Sequence, residues 1–176
     1  MLRLKKKHSP IQQYTGPPPD AERIVAQQSV WRAAAGGIGV VLVFGWLWAA
    51  LSVETGLVYP WLTVPIGGLV GVAVRRYGRG LDWRFPLLAA AIAWIGAYAG
   101  NLIIGIVETG RYIEAESWRV TLGLSLDTME NFFSNTINPI DHIYAFCGAG
   151  VAAFLANRRL NRREVLALRS MHKEQT

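Results

Sequence analysis

Four stretches of the chain are almost free of charge: residues 33–53, 57–74, 86–107 and 143–156. The first three match the roughly 20 apolar residues that a helix needs to cross hydrocarbon. The fourth is shorter, and reaches spanning length only when the segment opening at Pro139 joins it. The pattern predicts an all-α integral membrane protein with four transmembrane helices, at about 33–53, 57–74, 86–107 and 139–157, inside a domain covering residues 20–160. Small residues recur at four-residue spacing in the second and third stretches. They let helix backbones approach closely in lipid, so Gly67, Gly71, Gly96 and Gly100 are the expected packing positions. Asn101 is the strongly polar side chain deep in the third stretch, and is expected to bond across to a neighbouring helix.

The flanking residues set the expected boundaries. Asp20 is a good N-cap for a helix running unbroken to about Ser52, and Glu54-Thr55-Gly56 forms a tight connector. Pro65 falls deep enough in the second stretch to predict a kink. Asp82 or Phe85 is expected to cap the third helix, ahead of Pro86. In residues 108–138, Trp118, Val120, Leu122, Leu124 and Leu126 alternate like a strand, whereas Trp118, Leu122, Leu126, Met129 and Phe133 share a helical face. A lone strand lacks a partner, so this external segment is expected to be an interfacial amphipathic helix, or two pieces broken near Gly123. Asp127 and Glu130 fit the cap and third position of the second piece. Asn138-Pro139-Ile140-Asp141 reads as a helix start, and past Ala156 the last span is expected to continue as a basic amphipathic tail over residues 161–176.

Charge gives the expected topology. Of the 18 Lys and Arg residues, 16 fall before the first span, in the turn after the second or after the fourth, and only Arg111 and Arg119 lie in the other connections. The positive-inside rule then places both termini and the 75–84 turn in the cytoplasm. Residues 1–19 carry Lys5-Lys6-Lys7 and three consecutive prolines without an apolar run, which describes a disordered basic cytoplasmic tail rather than a signal peptide. Anionic headgroups on the cytoplasmic side are the expected partner of these charges. The net charge of +6 follows from topology without nucleic acid. Cys147 is expected to be a packing residue, with no intrachain disulfide available to it.

Chemistry is sparse. The sequence holds no paired-cysteine, His-Glu-x-x-His, Gly-x-Ser-x-Gly or phosphate-loop motif, and of three histidines only His142 lies near a predicted span. No metal site, cofactor or enzymatic activity is expected. Two readings remain: a non-enzymatic membrane subunit or scaffold packing against another copy or another membrane protein, and a small transport or sensing unit with Glu108, Asp141, His142 and Asn101 as its proton or cation site. Arg75, Arg76, Arg79 and Arg84 form a candidate lipid-phosphate contact, with backbone amides freed by the neighbouring glycines. Arg158, Arg159, Arg162 and Arg163 are accounted for as a stop-transfer signal.

Two stretches, Gly71-Val-Ala-Val-Arg-Arg-Tyr-Gly-Arg-Gly with the following helix to Gly100-Asn101, and Pro139-Ile-Asp-His-Ile-Tyr-Ala-Phe, resemble a family of small bacterial four-span inner-membrane proteins of unassigned function. The resemblance covers about the last two thirds of the chain and implies a bacterial inner-membrane location. The chain departs from it at Phe154-Leu-Ala-Asn-Arg-Arg, where the family pattern has a glycine-aromatic-basic run. The family carries no activity over.

Overall fold

The computed structural model describes residues 19–114 and 116–174, so the expectation for the tail over 1–19 falls almost wholly outside the described residues. Among these residues all regular structure is helical. Eight α-helices follow in order: α1 (Ala21–Ala26), α2 (Val30–Thr55), α3 (Thr63–Gly78), α4 (Arg84–Tyr112), α5 (Ser117–Leu122), α6 (Leu126–Thr136), α7 (Pro139–Ala156) and α8 (Arg162–Glu174). A 3-10 turn at Pro60–Leu62 leads into α3. Three of them, α2, α4 and α7, are long and apolar enough to cross a membrane, with mean hydropathies of 2.0, 1.9 and 1.3.

The chain divides into two compact units. The larger, Val25–Arg159, is a bundle of α2, α3, α7 and α4 in that cyclic order, with further contact between α3 and α4 across the middle. Its core is unusually lean. Ala33, Val70, Val74, Phe85, Ala89, Ala93, Ala152 and Ala156 fill one end, and Trp48, Ala49 and Ile104 the other. Alanine and glycine at the seams bring backbones together. An added Cβ at Gly67 would stand 2.7 Å from the carbonyl carbon of Gly148, and one at Gly71 would stand 3.0 Å from Cα of Ala152. The paired positions ascend together, so α3 and α7 run parallel. Gly96 and Gly100 likewise make room on α4 for Val41 and Trp48 of α2, and those two helices are parallel as well. In the second unit, α8 flanks a cavity of ≈ 550 Å³ that is also lined by Asp20, Ala21 and Glu22.

Several boundaries depart from the sequence expectations. The helix from Asp20 does not run through to Ser52: it stops at Ala26, and Ser29, in extended backbone, caps a new helix by accepting from the Arg32 N–H. Pro65 does not lie deep in a span, because α3 starts only at Thr63, and a first-turn proline lacks an N–H that would have no intrahelical partner. Residues 57–59 are not helical, and α3 is 16 residues long. Trp83, rather than Asp82 or Phe85, holds the N-cap position of α4, without a side-chain bond. The cap of α6 is Ser125, whose hydroxyl accepts from the Thr128 N–H, and Asp127 lies inside the helix. Helix α7 does not continue past Ala156; Asn157 turns extended, and the Arg158 N–H bonds the carbonyl of Gly80 instead.

Candidate functional site

Two grooves at opposite ends of the bundle collect most of the polar candidates. On α4, Asn101, Ile104, Gly105 and Glu108 stand at i, i+3, i+4 and i+7, which is one helical face. Facing them are Thr136 and Ile137 at the end of α6 and Asn138, Ile140 and Asp141 at the start of α7. Together with Val58, Pro60, Thr109 and Phe132 they enclose about 460 Å³. Phe132 sits on Gly105, where a Cβ would stand 2.7 Å from Cζ of its ring with Cε2 nearer still, and Phe133 meets Tyr98 edge-on at 6.0 Å. These contacts fix α6 as a wall of the groove.

Three of the four expected ionic or polar residues, Asn101, Glu108 and Asp141, therefore line one groove, and His142 does not. Consecutive helical residues point about 100° apart, and the His142 ring turns to Tyr98, whose hydroxyl lies 2.6 Å from Nδ1. Asp141 has a local duty as well: its carboxylate accepts from the Asn138 N–H at 2.8 Å, as the third-position acid of a helix start does. Asn101 does not reach another helix. Its amide donates to the Ala97 carbonyl one turn back at 3.1 Å, a local side-chain-to-backbone bond. Arg111 is drawn away from the groove to the end of α2, bonding the Val53 carbonyl at 3.0 Å with the Glu54 carboxylate 3.9 Å away. A cation there complements the helix dipole.

At the other end, the turn after α3 is fixed at several points. Arg79 adopts the left-handed conformation with φ 50°, and its N–H bonds the Arg75 carbonyl. The Ser29 N–H donates to the Gly78 carbonyl at 3.0 Å, the Leu81 N–H to the Gln28 side chain at 3.0 Å, and the Arg79 guanidinium to the Gln27 side chain at 2.9 Å. The amides expected to cradle phosphate are thus engaged at Arg79 and Leu81. Phe85, 2% exposed, closes under the turn against Gly78 and Gly80. Arg75, Arg76 and Arg79 share a groove of about 370 Å³ with Val72 and Arg158, while Arg84 stands outside it. The sequence accounts for Arg158 as part of a stop-transfer signal, not as a neighbour of this turn, and does not single out the two glutamines. No short motif marks these pairings, because the partners are far apart in the chain.

Among the described residues no group of three or more His, Cys, Asp or Glu side chains is arranged to hold a metal ion. Compared with known proteins, the chain matches no protein-family model, no curated protein and no solved structure.

Proposed function

We propose that the chain crosses the membrane four times and serves as a non-enzymatic subunit or scaffold, docking another membrane protein or a second copy of itself. The carrying observation is an apolar groove on α2. Ala35, Gly36, Gly39, Val40, Val43 and Phe44, with Arg32 and Tyr77 at its edge, enclose about 570 Å³, and a Cβ on Gly39 would meet nothing within 4 Å. Small residues facing an open groove give a foreign helix a close approach. Four crossings are supported by direction: α2 and α4 are parallel and both long enough to span, so the chain between them, α3, has to return across the same layer. The 3-10 turn and α3 together cover 19 residues from Pro60 to Gly78, or about 30 Å, the thickness of the hydrocarbon. The basic-residue asymmetry supports cytoplasmic termini, and α5 and α6 then form the external segment between the third and fourth spans. The family resemblance favours a bacterial inner membrane.

The test is extraction in mild detergent at native expression. A stoichiometric partner or a discrete oligomer that Gly39→Leu abolishes is the expected result. A lone monomer, indifferent to Gly39→Leu, would overturn the scaffold reading. Phosphatase fusions check the topology, with low activity expected near residue 79 and high activity near residue 120. The outer groove favours a second reading, a proton- or cation-coupled unit. Ionisable groups at membrane depth are costly and usually functional. A Glu108→Gln chain that folds normally but fails to complement a deletion phenotype would carry that reading forward, and full complementation would remove Glu108 from it.

A further inference from the structure

We propose that the groove lined by Val72, Arg75, Arg76, Arg79 and Arg158 binds the phosphate of an anionic membrane lipid. The inference rests on the membrane reading above and assigns that surface a ligand.

Topology alone accounts for arginines on this side of the bundle; it does not account for their arrangement. The positive-inside rule counts charges and is indifferent to where each guanidinium points. Here the backbone that carries them is pinned from three directions: by Ser29, by Gln28, and by the Arg158 N–H on the Gly80 carbonyl at 3.0 Å. That last bond holds the chain just beyond α7, where it has left the helix, and so sets a guanidinium from a distant part of the chain beside the three on α3 and its turn. Arg79 is held further by Gln27. A phosphate seated in this groove would face several guanidiniums at once. A planar fork of N–H donors suits phosphate oxygens, and ordering the donors beforehand lowers the cost of binding.

Depth along the bundle points to lipid rather than to a soluble phosphate. Arg158 stands two residues past the end of α7, a helix long and apolar enough to span, where hydrocarbon gives way to headgroups. The apolar member of the groove, Val72, is exposed one turn above Arg75 and Arg76, and Leu69 is exposed a further turn along the same helix. A headgroup between the arginines would therefore lay its acyl chain along Leu69 and Val72. Soluble phosphates have no use for that apolar strip. The groove volume, about 370 Å³, is some ten times the share of one liquid water and leaves room for a headgroup.

Native mass spectrometry of the full chain in mild detergent tests this, with phosphatidylglycerol, phosphatidylcholine and inorganic pyrophosphate as probes. The wild-type chain is expected to retain phosphatidylglycerol at least about tenfold more strongly than phosphatidylcholine, with millimolar pyrophosphate displacing little of it. Arg75→Gln/Arg158→Gln should remove that preference, whereas Arg84→Gln/Arg159→Gln, which deletes two charges from the same side outside the groove, should leave it within about twofold. Equal losses in the two double variants would mean diffuse attraction and overturn the site. No phosphatidylglycerol preference in the wild type overturns it without reference to any variant, and displacement by pyrophosphate reassigns the groove to soluble phosphate. Phosphatase fusions on the wild-type chain report the topology independently, so failure of the membrane reading is distinguishable from failure of this one.

Discussion

Replacing Gly67 with alanine adds one methyl group at the tightest seam of the bundle. The new Cβ would stand 2.7 Å from the carbonyl carbon and 2.9 Å from Cα of Gly148, with that residue's carbonyl oxygen nearer still. Carbon contacts are comfortable at about 3.5–4.0 Å, so α3 and α7 have to separate by about 1 Å. The obstacle is backbone, which no rotamer change can relieve. Separation would also disturb Gly71 on Ala152 and Gly148 on Thr63, the other close contacts of the same seam. Overpacking of this kind costs about 1–3 kcal/mol, against a gain of up to about 1 kcal/mol from the better helix propensity of alanine. Gly150, on the same α7, supplies the control: a Cβ there meets nothing within 4 Å, so Gly150→Ala should be neutral or stabilising. Reversible unfolding in mixed detergent micelles, followed by circular dichroism, measures both. Because the propensity gain is common to both, Gly67→Ala is expected to lose about 1–3 kcal/mol relative to Gly150→Ala. Equal stabilities would refute the backbone seam.

Gly100→Leu should disrupt folding or assembly more than Gly96→Leu, because its Cβ would enter the ring of Trp48, which is 3% exposed, whereas Gly96 faces the smaller Val41; thermal unfolding in detergent ranks the two, and equal or reversed effects would contradict this packing. Asp141→Asn should keep most of the stability and function, since an amide oxygen can still accept from the Asn138 N–H, while Asp141→Leu should lose about 0.5–2 kcal/mol with the cap. If Asp141→Asn folds normally at matched levels yet behaves like a deletion in cells, capping is an insufficient account and the proton or cation reading gains.

What the sequence made legible was whatever depends on neighbours within a few residues. The helices themselves, the start at Asn138-Pro139-Ile140-Asp141 and the interruption at Gly123 follow from apolar runs, capping chemistry and a helix breaker. Asn101 and Glu108 fall on one face by their seven-residue spacing alone. That Asp141 faces them, and His142 does not, depends on how α7 is rotated against α4, which no local pattern states. The interruption at Gln27–Ser29 was illegible for a sharper reason. Glutamine is a good helix former, and the groups that draw Gln27 and Gln28 out of register, Arg79 and Leu81, lie more than 50 residues away.

The same contrast explains how a bundle with so plain an interior holds one arrangement. In lipid, apolar side chains gain little by choosing one apolar neighbour over another, and the seams here are built from alanine, glycine and valine, which offer few features to lock a register. Direction comes from the ends. Arg111 of α4 bonds the last turn of α2 at one end, and at the other Ser29, Gln28 and Arg158 tie α2, the α3 turn and the end of α7 into one hydrogen-bonded clasp. Sliding α7 by a turn would strand these donors and acceptors, and would also bring Tyr144 or Ala152 against Thr63, where Gly148 now fits. The register is therefore specified by the polar groups at the helix ends together with the glycines that meet backbone between them. The residues best placed to set the geometry of the bundle are also the ones that shape its basic groove, so a ligand held among those arginines would bear directly on how α3 and α7 meet.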